Sequence, residues 1–364
     1  MKYGGRDIPL SIPDGVALDV VGRRDAGDIN ERAILREALA APLGAPDIAT
    51  FLKGARAPLV IVNDHTRSTP TGLMLTPLLP ALSACPGWRV IVATGLHRGP
   101  SPDELRRMFG DVLDSVADRL LVHNARDSAV LTAAESVDGP IQLNRVVFES
   151  DRIVILTSVE PHFFAGYTGG RKSFIPGLSG ADTIQQSHAG AMFPIATPLV
   201  IEGNPVRRFI QDNTGMVAAA RIWVLQAVLD RQDRIAAAFA GDIDKTFTPA
   251  CRAARNYYAV PIDGTYDIVL SAIHPPLDEN LYQAQKGWEH SLTGVRDGGA
   301  LIIAAACHGG IGSPFYAALG TQYPDPTLWS ALEAKPYTMG LHKLVRTARA
   351  NARVRLMAAT DMPV

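Results

Sequence analysis

Cysteine is scarce: Cys85, Cys251 and Cys307 are the only three in 364 residues, far apart and with no C-x-x-C pair. That argues against a disulfide framework and against a thiolate zinc site. An excess of either charge is missing too. With 35 Lys and Arg against 36 Asp and Glu, the formal net charge is -1 at pH 7. Such a balance offers no electrostatic reason for a nucleic-acid or anionic-membrane partner. No apolar run reaches the roughly eighteen residues that would span a bilayer. The start, Met1 to Asp14, carries charges and prolines without the apolar stretch of a signal peptide. No H-E-x-x-H motif or histidine pair at i, i+4 appears, so a hydrolytic zinc site is not indicated. Internal repeats and low-complexity segments are absent as well. The expectation is a soluble, cytoplasmic protein.

What is present reads as α/β. The composition is globular, 47% hydrophobic and 20% charged, and the length predicts two domains. Leu59-Val60-Ile61-Val62, Val90-Ile91-Val92-Ala93, Ile153-Val154-Ile155-Leu156, Ile268-Val269-Leu270 and Leu301-Ile302-Ile303 are continuous apolar runs. Runs of this kind suit strands covered on both faces of a parallel sheet. Ser101-Pro102-Asp103-Glu104 carries a capping-box signature and opens a helix. A second helix is expected over residues 282–290, and Val354-Arg355-Leu356-Met357-Ala358 reads as a late strand. The pattern breaks at Pro261-Ile262-Asp263-Gly264, which divides the chain into residues 1–260 and 261–364.

Three strands lead at once into polar clusters. Asn63-Asp64-His65-Thr66-Arg67 follows the first, Thr94-Gly95-Leu96-His97-Arg98 the second, and a glycine-rich segment from His162 to Lys172 the third. Ligands of open α/β sheets bind outside the carboxyl ends of strands, so three such clusters imply one polar cleft for an anionic ligand. Each cluster also has a plainer reading. Asp64 suits a helix cap paired with Arg67, and His97 suits a solvated loop. Gly166, Gly169 and Gly170 suit positive-φ backbone, and their spacing matches neither the Walker loop nor the dinucleotide fingerprint. His188 lies on a predicted helix, where a lone histidine is more often structural. Gln283 and Lys286 share a helical face that alone reads as surface.

Taken in order, the four motifs resemble the signatures of the nickel-pincer lactate racemase family. They are D-H-T-R at 64–67, T-G-L-H-R at 94–98, H-F-F-A-G-Y-T-G-G-R-K at 162–172 and Y-Q-A-Q-K-G at 282–287. The resemblance covers roughly residues 59–357. It implies two α/β domains, each with a mostly parallel sheet flanked by helices, and an active site in the cleft between them. Residues 1–260 would bind the cofactor and 261–364 would clamp the substrate. Lys172 would carry pyridinium-3,5-dithiocarboxylic acid mononucleotide through a thioamide, with nickel held by two sulfurs, a ring carbon and His188. Asp64, Thr66, Gly169 and Gly170 would lie against that group. His97 and His162 would alternate as general base and acid, and Arg67 and Lys286 would hold the substrate carboxylate beside Gln283.

The implied activity is racemisation or epimerisation of a 2-hydroxy acid by proton-coupled hydride transfer. Cofactor-building enzymes are the implied partners. Histidine suits both proton roles near neutral pH, and sulfur with imidazole suits nickel. Two departures stand out. Tyr337 falls where lactate racemases carry a tryptophan, with His342 and Lys343 following on one helix, which implies a substrate other than lactate. The chain is also shorter than the family commonly is, so a C-terminal element is expected to be missing. Two alternatives stay open: a net redox reaction between hydroxy and oxo acids, and a non-catalytic binder of carboxylate or phosphate ligands.

Overall fold

The computed structural model describes residues 1–362. The chain is mixed α/β and divides into two compact units. One comprises Gly22–Gly190 and Leu199–Val260. The other comprises Met1–Val21, Ala191–Pro198 and the residues from Pro261 onward. No helix among the described residues is long and apolar enough to cross a membrane.

The first unit is built on a six-stranded sheet. Its strands are β1 (Leu59–Asn63), β2 (Arg89–Ala93), β3 (Leu120–Val122), β4 (Ile153–Ser158), β5 (Ile222–Leu229) and β6 (Ile235–Gly241). Their order is β6-β5-β4-β1-β2-β3, parallel throughout except for the antiparallel edge strand β6. Strands β4 and β5 are buried at every position, as covered parallel strands must be. Three strands go beyond those expected from the sequence. In β5 the polar Gln226 interrupts the apolar run, β6 is alanine-rich, and β3 has only three residues.

Helices α1 (Pro102–Phe109), α2 (Ala181–Ala189), α3 (Pro205–Asn213) and α4 (Ile243–Tyr258) are among the helices of this unit. The capping box of α1 forms as its sequence predicts. Ser101 Oγ accepts from Glu104 N–H at 3.3 Å, and the Glu104 carboxylate accepts from Ser101 N–H at 2.6 Å. The chain winds one way from β1 to β3, then crosses back so that β4 lies beside β1. That reversal makes the carboxyl ends of β1 and β4 the switch point, where an open α/β sheet forms its crevice.

The second unit holds a three-stranded parallel sheet in the order β7 (Tyr266–Ala272), β8 (Val295–Ala304) and β9 (Arg355–Ala359). Trp288 and Ala284 from α5 (Leu281–Ser291) pack with Leu301 and Ile303 in its core. On α6 (Leu341–Asn351), Arg346 forms a buried bidentate pair with Glu289, both contacts 2.6 Å. Arg346 also donates to the carbonyls of Ala191 and Ala196 at 3.3 and 2.9 Å, and Arg349 donates to that of Met192 at 2.6 Å. Those bonds group the strap Ala191–Pro198 with this unit, where a single cut after residue 260 would leave it with the other.

Candidate active site

The ends of β1 and β4 are tied together first. Asn63 Nδ2 donates to Thr69 Oγ1 at 2.8 Å, and that hydroxyl lies 2.8 Å from Ser158 Oγ. Thr157 Oγ1 closes the network by donating to Asn63 Oδ1 at 3.0 Å. Just beyond, Arg67 Nη1 donates to the Glu160 carboxylate. The loops after the two central strands therefore leave the sheet together.

Asp64 and His97 form the next pair. His97 Nδ1 lies 2.6 Å from Asp64 Oδ2, while Asp64 Oδ1 accepts from Thr66 Oγ1 at 2.7 Å and Thr66 N at 3.2 Å. Burial pushes the Asp64 carboxyl up. The His97 hydrogen bond and charge, with Thr66 and Arg67, outweigh that and bring it down to about 2. Both Asp64 and Thr66 thus serve His97, and the Asp64 oxygens are committed within the protein. Nearby, Arg98 holds Glu104 by two bonds of 2.6 and 2.7 Å, and that carboxyl is lowered to about 2.

The loop after β4 shapes the rest. His162 is buried, with Phe163 stacked at 4.9 Å and Phe164 edge-on at 4.6 Å between ring centroids. Its Nδ1 accepts from the backbone N–H groups of Phe164 and Ala165, at 3.4 and 3.2 Å. Gly169 has φ +83°, and a Cβ there would meet Val159 Cγ2 at 2.5 Å, so glycine is required. Gly170 N–H donates to the buried Gln226 side chain at 2.9 Å, and Gln226 is held by Thr246 at 2.8 Å. The resemblance would lay Gly169 and Gly170 against the cofactor. The Gly170 donor is spent on Gln226, because β5 places that amide directly behind the turn.

What the turn does is present Lys172. Arg171 is pinned by Asp244 at 2.8 and 3.0 Å and by the Thr214 carbonyl at 3.2 Å. The half-buried Lys172 has its Nζ 6.0 Å from the Phe164 ring centroid. The His188 ring, in the last turn of α2, meets the same phenyl ring edge-on at 5.0 Å. Ser187 Oγ lies 3.0 Å from His188 Nδ1. Phe164 is thus the common neighbour of Lys172, His188 and His162. Phe164, Glu160, Gln226 and Ser187 were not singled out by sequence reasoning. Phe164 and Glu160 lie inside or beside a quoted motif, whereas nothing local marks Gln226.

The remaining candidates belong to the other unit. Gln283 and Lys286 lie one turn apart on α5, whose N-cap Asn280 accepts from Gln283 N–H at 3.0 Å. The Gln283 amide oxygen is buried and has no hydrogen-bond partner among the described residues. Tyr337 OH is 2.7 Å from His342 Nδ1. Lys343 is fully buried, donates to the Tyr282 carbonyl at 2.8 Å and lies 4.2 Å from the centre of that ring. Burial, then the Lys286 charge, pushes the Lys343 amine well below its ordinary value.

Comparison with known proteins agrees with this architecture. Residues 3–197 match the lactate racemase N-terminal domain, and residues 263–336 match the lactate racemase C-terminal domain. The chain belongs to the lactate racemase family. The lactate racemase of Thermoanaerobacterium thermosaccharolyticum is 30% identical over 331 residues, 86% of this chain and 76% of that protein. The lactate racemase of Lactiplantibacillus plantarum is 31% identical over 299 residues, covering 78% and 69%. Among solved structures, the lactate racemase apoprotein of T. thermosaccharolyticum superposes with a TM-score of 0.88 at 27% identity, covering 99% of this chain and 87% of that one. A Thermotoga maritima protein shares the fold, with a TM-score of 0.71 at 19% identity over 92% and 89% of the two chains.

Within this family frame the donor set matters. Among the described residues, no group of three or more His, Cys, Asp or Glu side chains is placed to hold a metal ion. A metal on His188 therefore needs most of its donors from a bound group. A lysine-tethered sulfur ligand beside a single imidazole would meet that need, and such a mixed sulfur and nitrogen set would suit nickel.

Proposed function

We propose that this protein is an isomerase, a racemase or epimerase of a 2-hydroxy acid that depends on nickel in pyridinium-3,5-dithiocarboxylic acid mononucleotide carried on Lys172. The observation that carries the reading is the convergence of Lys172, His188 and His162 on Phe164. His188 would supply the protein ligand to nickel. With Nδ1 at Ser187, ligation falls to Nε2. When bound, the group supplies a reversible hydride acceptor, so that no dianionic carbanion has to form at the α-carbon.

The chain's own residues do the rest. His97 and His162 handle the hydroxyl proton, and the Asp64 carboxylate orients His97. Arg67 and Lys286 hold the substrate carboxylate, Arg67 through a planar fork suited to two oxygens. Gln283 offers a buried acceptor, the unpartnered amide oxygen, to a substrate hydroxyl. The substrate we propose is a 2-hydroxy acid other than lactate, with Tyr337 supplying a polar contact where an indole would only pack. The enzyme would act in the cytoplasm and receive its cofactor from dedicated biosynthetic enzymes.

The test is the intact and peptide mass of protein made together with that biosynthetic machinery, with nickel quantified on the same sample. A nucleotide-sized adduct on Lys172 and about one nickel per chain support the proposal and direct a screen of chiral 2-hydroxy acids. An unmodified Lys172 in a host proven to make the cofactor would overturn it.

A further inference from the structure

We infer that His97 and His162 are held in opposite tautomers, so that in the resting protein His97 presents an Nε2 lone pair and His162 an Nε2–H. The inference rests on the proton roles proposed above, and it replaces a symmetric pair with a division of labour.

Each ring is read from what faces its Nδ1. At His97 that nitrogen is 2.6 Å from an Asp64 oxygen, and the carboxylate is ionised down to acid pH. A carboxylate only accepts, so Nδ1 carries hydrogen and the lone pair of the neutral ring lies on Nε2. His97 is about a third exposed, which leaves it able to meet a ligand. At His162 the partners are reversed. The N–H groups of Phe164 and Ala165 both aim at Nδ1, and an N–H only donates. Nδ1 therefore keeps its lone pair, and the proton of the neutral ring lies on Nε2. Phe163 and Phe164 pack the ring from two directions and oppose a flip that would exchange the edges.

The chemistry follows. With the substrate hydroxyl at His97, the O–H proton moves to Nε2 and an N–H bond forms there. The C–O bond would become C=O as hydride leaves the α-carbon with its electron pair for the hydride acceptor that the bound group would supply. Asp64 keeps the Nδ1–H hydrogen bond throughout. With the hydroxyl at His162, Nε2 already carries hydrogen. Nε2 accepts the proton only once its own hydrogen has been given up and Nδ1 has taken one in its place, at the loss of two backbone donors. In its resting form His162 is thus a hydrogen-bond donor to the oxygen, and Asp64 is a positioning residue for His97.

For a racemase the equilibrium constant is one, so kcat/KM must be equal for the two enantiomers. The asymmetry then appears as kcat and KM values that differ by the same factor, about fivefold or more for the loss of two hydrogen bonds.

The deciding experiment is a long-range 15N–1H correlation spectrum of the full-length, cofactor-free protein with 15N-labelled histidine, near neutral pH. His97→Gln and His162→Gln assign the signals. An Nδ1–H pattern for His97 and an Nε2–H pattern for His162 are expected. Asp64→Asn should disturb the His97 pattern and leave that of His162 intact. The same tautomer at both rings, or an averaged pattern at His162, would overturn the inference. Because the spectrum needs no cofactor, it decides this point whether or not the proposed activity is found.

Discussion

Arg67 donates to Glu160, so the guanidinium proposed for the substrate carboxylate already rests on a carboxylate of the protein. Each side chain is about a quarter exposed, 24% and 23%. A pair in that setting is worth up to about 1 kcal/mol. Glu160 therefore keeps Arg67 oriented and competes mildly with substrate. Glu160→Gln should lower KM about two- to fivefold with little change in kcat, read by steady-state kinetics on the loaded enzyme. A raised KM would show that Glu160 supports the substrate site instead.

Lys172 and His188 approach Phe164 from different segments and should be separable. In Lys172→Ala the covalent adduct should vanish from the intact mass. In His188→Ala the adduct should remain while bound nickel falls from about one per chain to a small fraction. An adduct surviving in Lys172→Ala would place the attachment elsewhere.

Both histidines should matter for turnover without mattering for loading. His97→Ala and His162→Ala are each expected to reduce racemisation by about 10²- to 10⁴-fold, the usual weight of a positioned proton donor or acceptor. The adduct mass on Lys172 should be unchanged. Full activity in either variant would remove that side chain from the mechanism.

Asp64 makes the acid limb of stability predictable. Its carboxyl drops from an ordinary value of 3.8 to about 2 in the folded chain. A depressed folded pKa favours the native state above the unfolded pKa, and that advantage is lost as pH falls through the folded value. The contribution, about 2 kcal/mol, is therefore complete above about pH 4 and gone near pH 2. Urea unfolding of the cofactor-free protein across that window should show a shallower pH dependence in Asp64→Asn than in the parent. Equal slopes would mean that the carboxyl is not depressed.

Much of the fold was legible. Leu59-Val60-Ile61-Val62 and Ile153-Val154-Ile155-Leu156 are central strands because an unbroken apolar run has nowhere to go but between two covered faces. The Ser101 capping box was readable down to both of its hydrogen bonds, since its partners are three residues apart. Strands β5 and β6 were not legible. Gln226 breaks the pattern of one, and alanine, a good helix former, dominates the other.

The candidate site divides along the same line. Local pattern by itself determined that the continuous apolar runs are strands, where those runs end, and that His97, His162 and Lys172 lie on loops at strand ends. It also carried the four motifs that mark the family. Only the tertiary structure decided what each of these side chains touches. Asp64 and His97 are 33 residues apart, Gly170 and Gln226 are 56 apart, and Arg67 and Glu160 are 93 apart. Sheet order brings such partners together, and it depends on how whole strands pack, which periodicity within a strand does not encode. The tautomer of a histidine is likewise set by the partner its ring nitrogen meets.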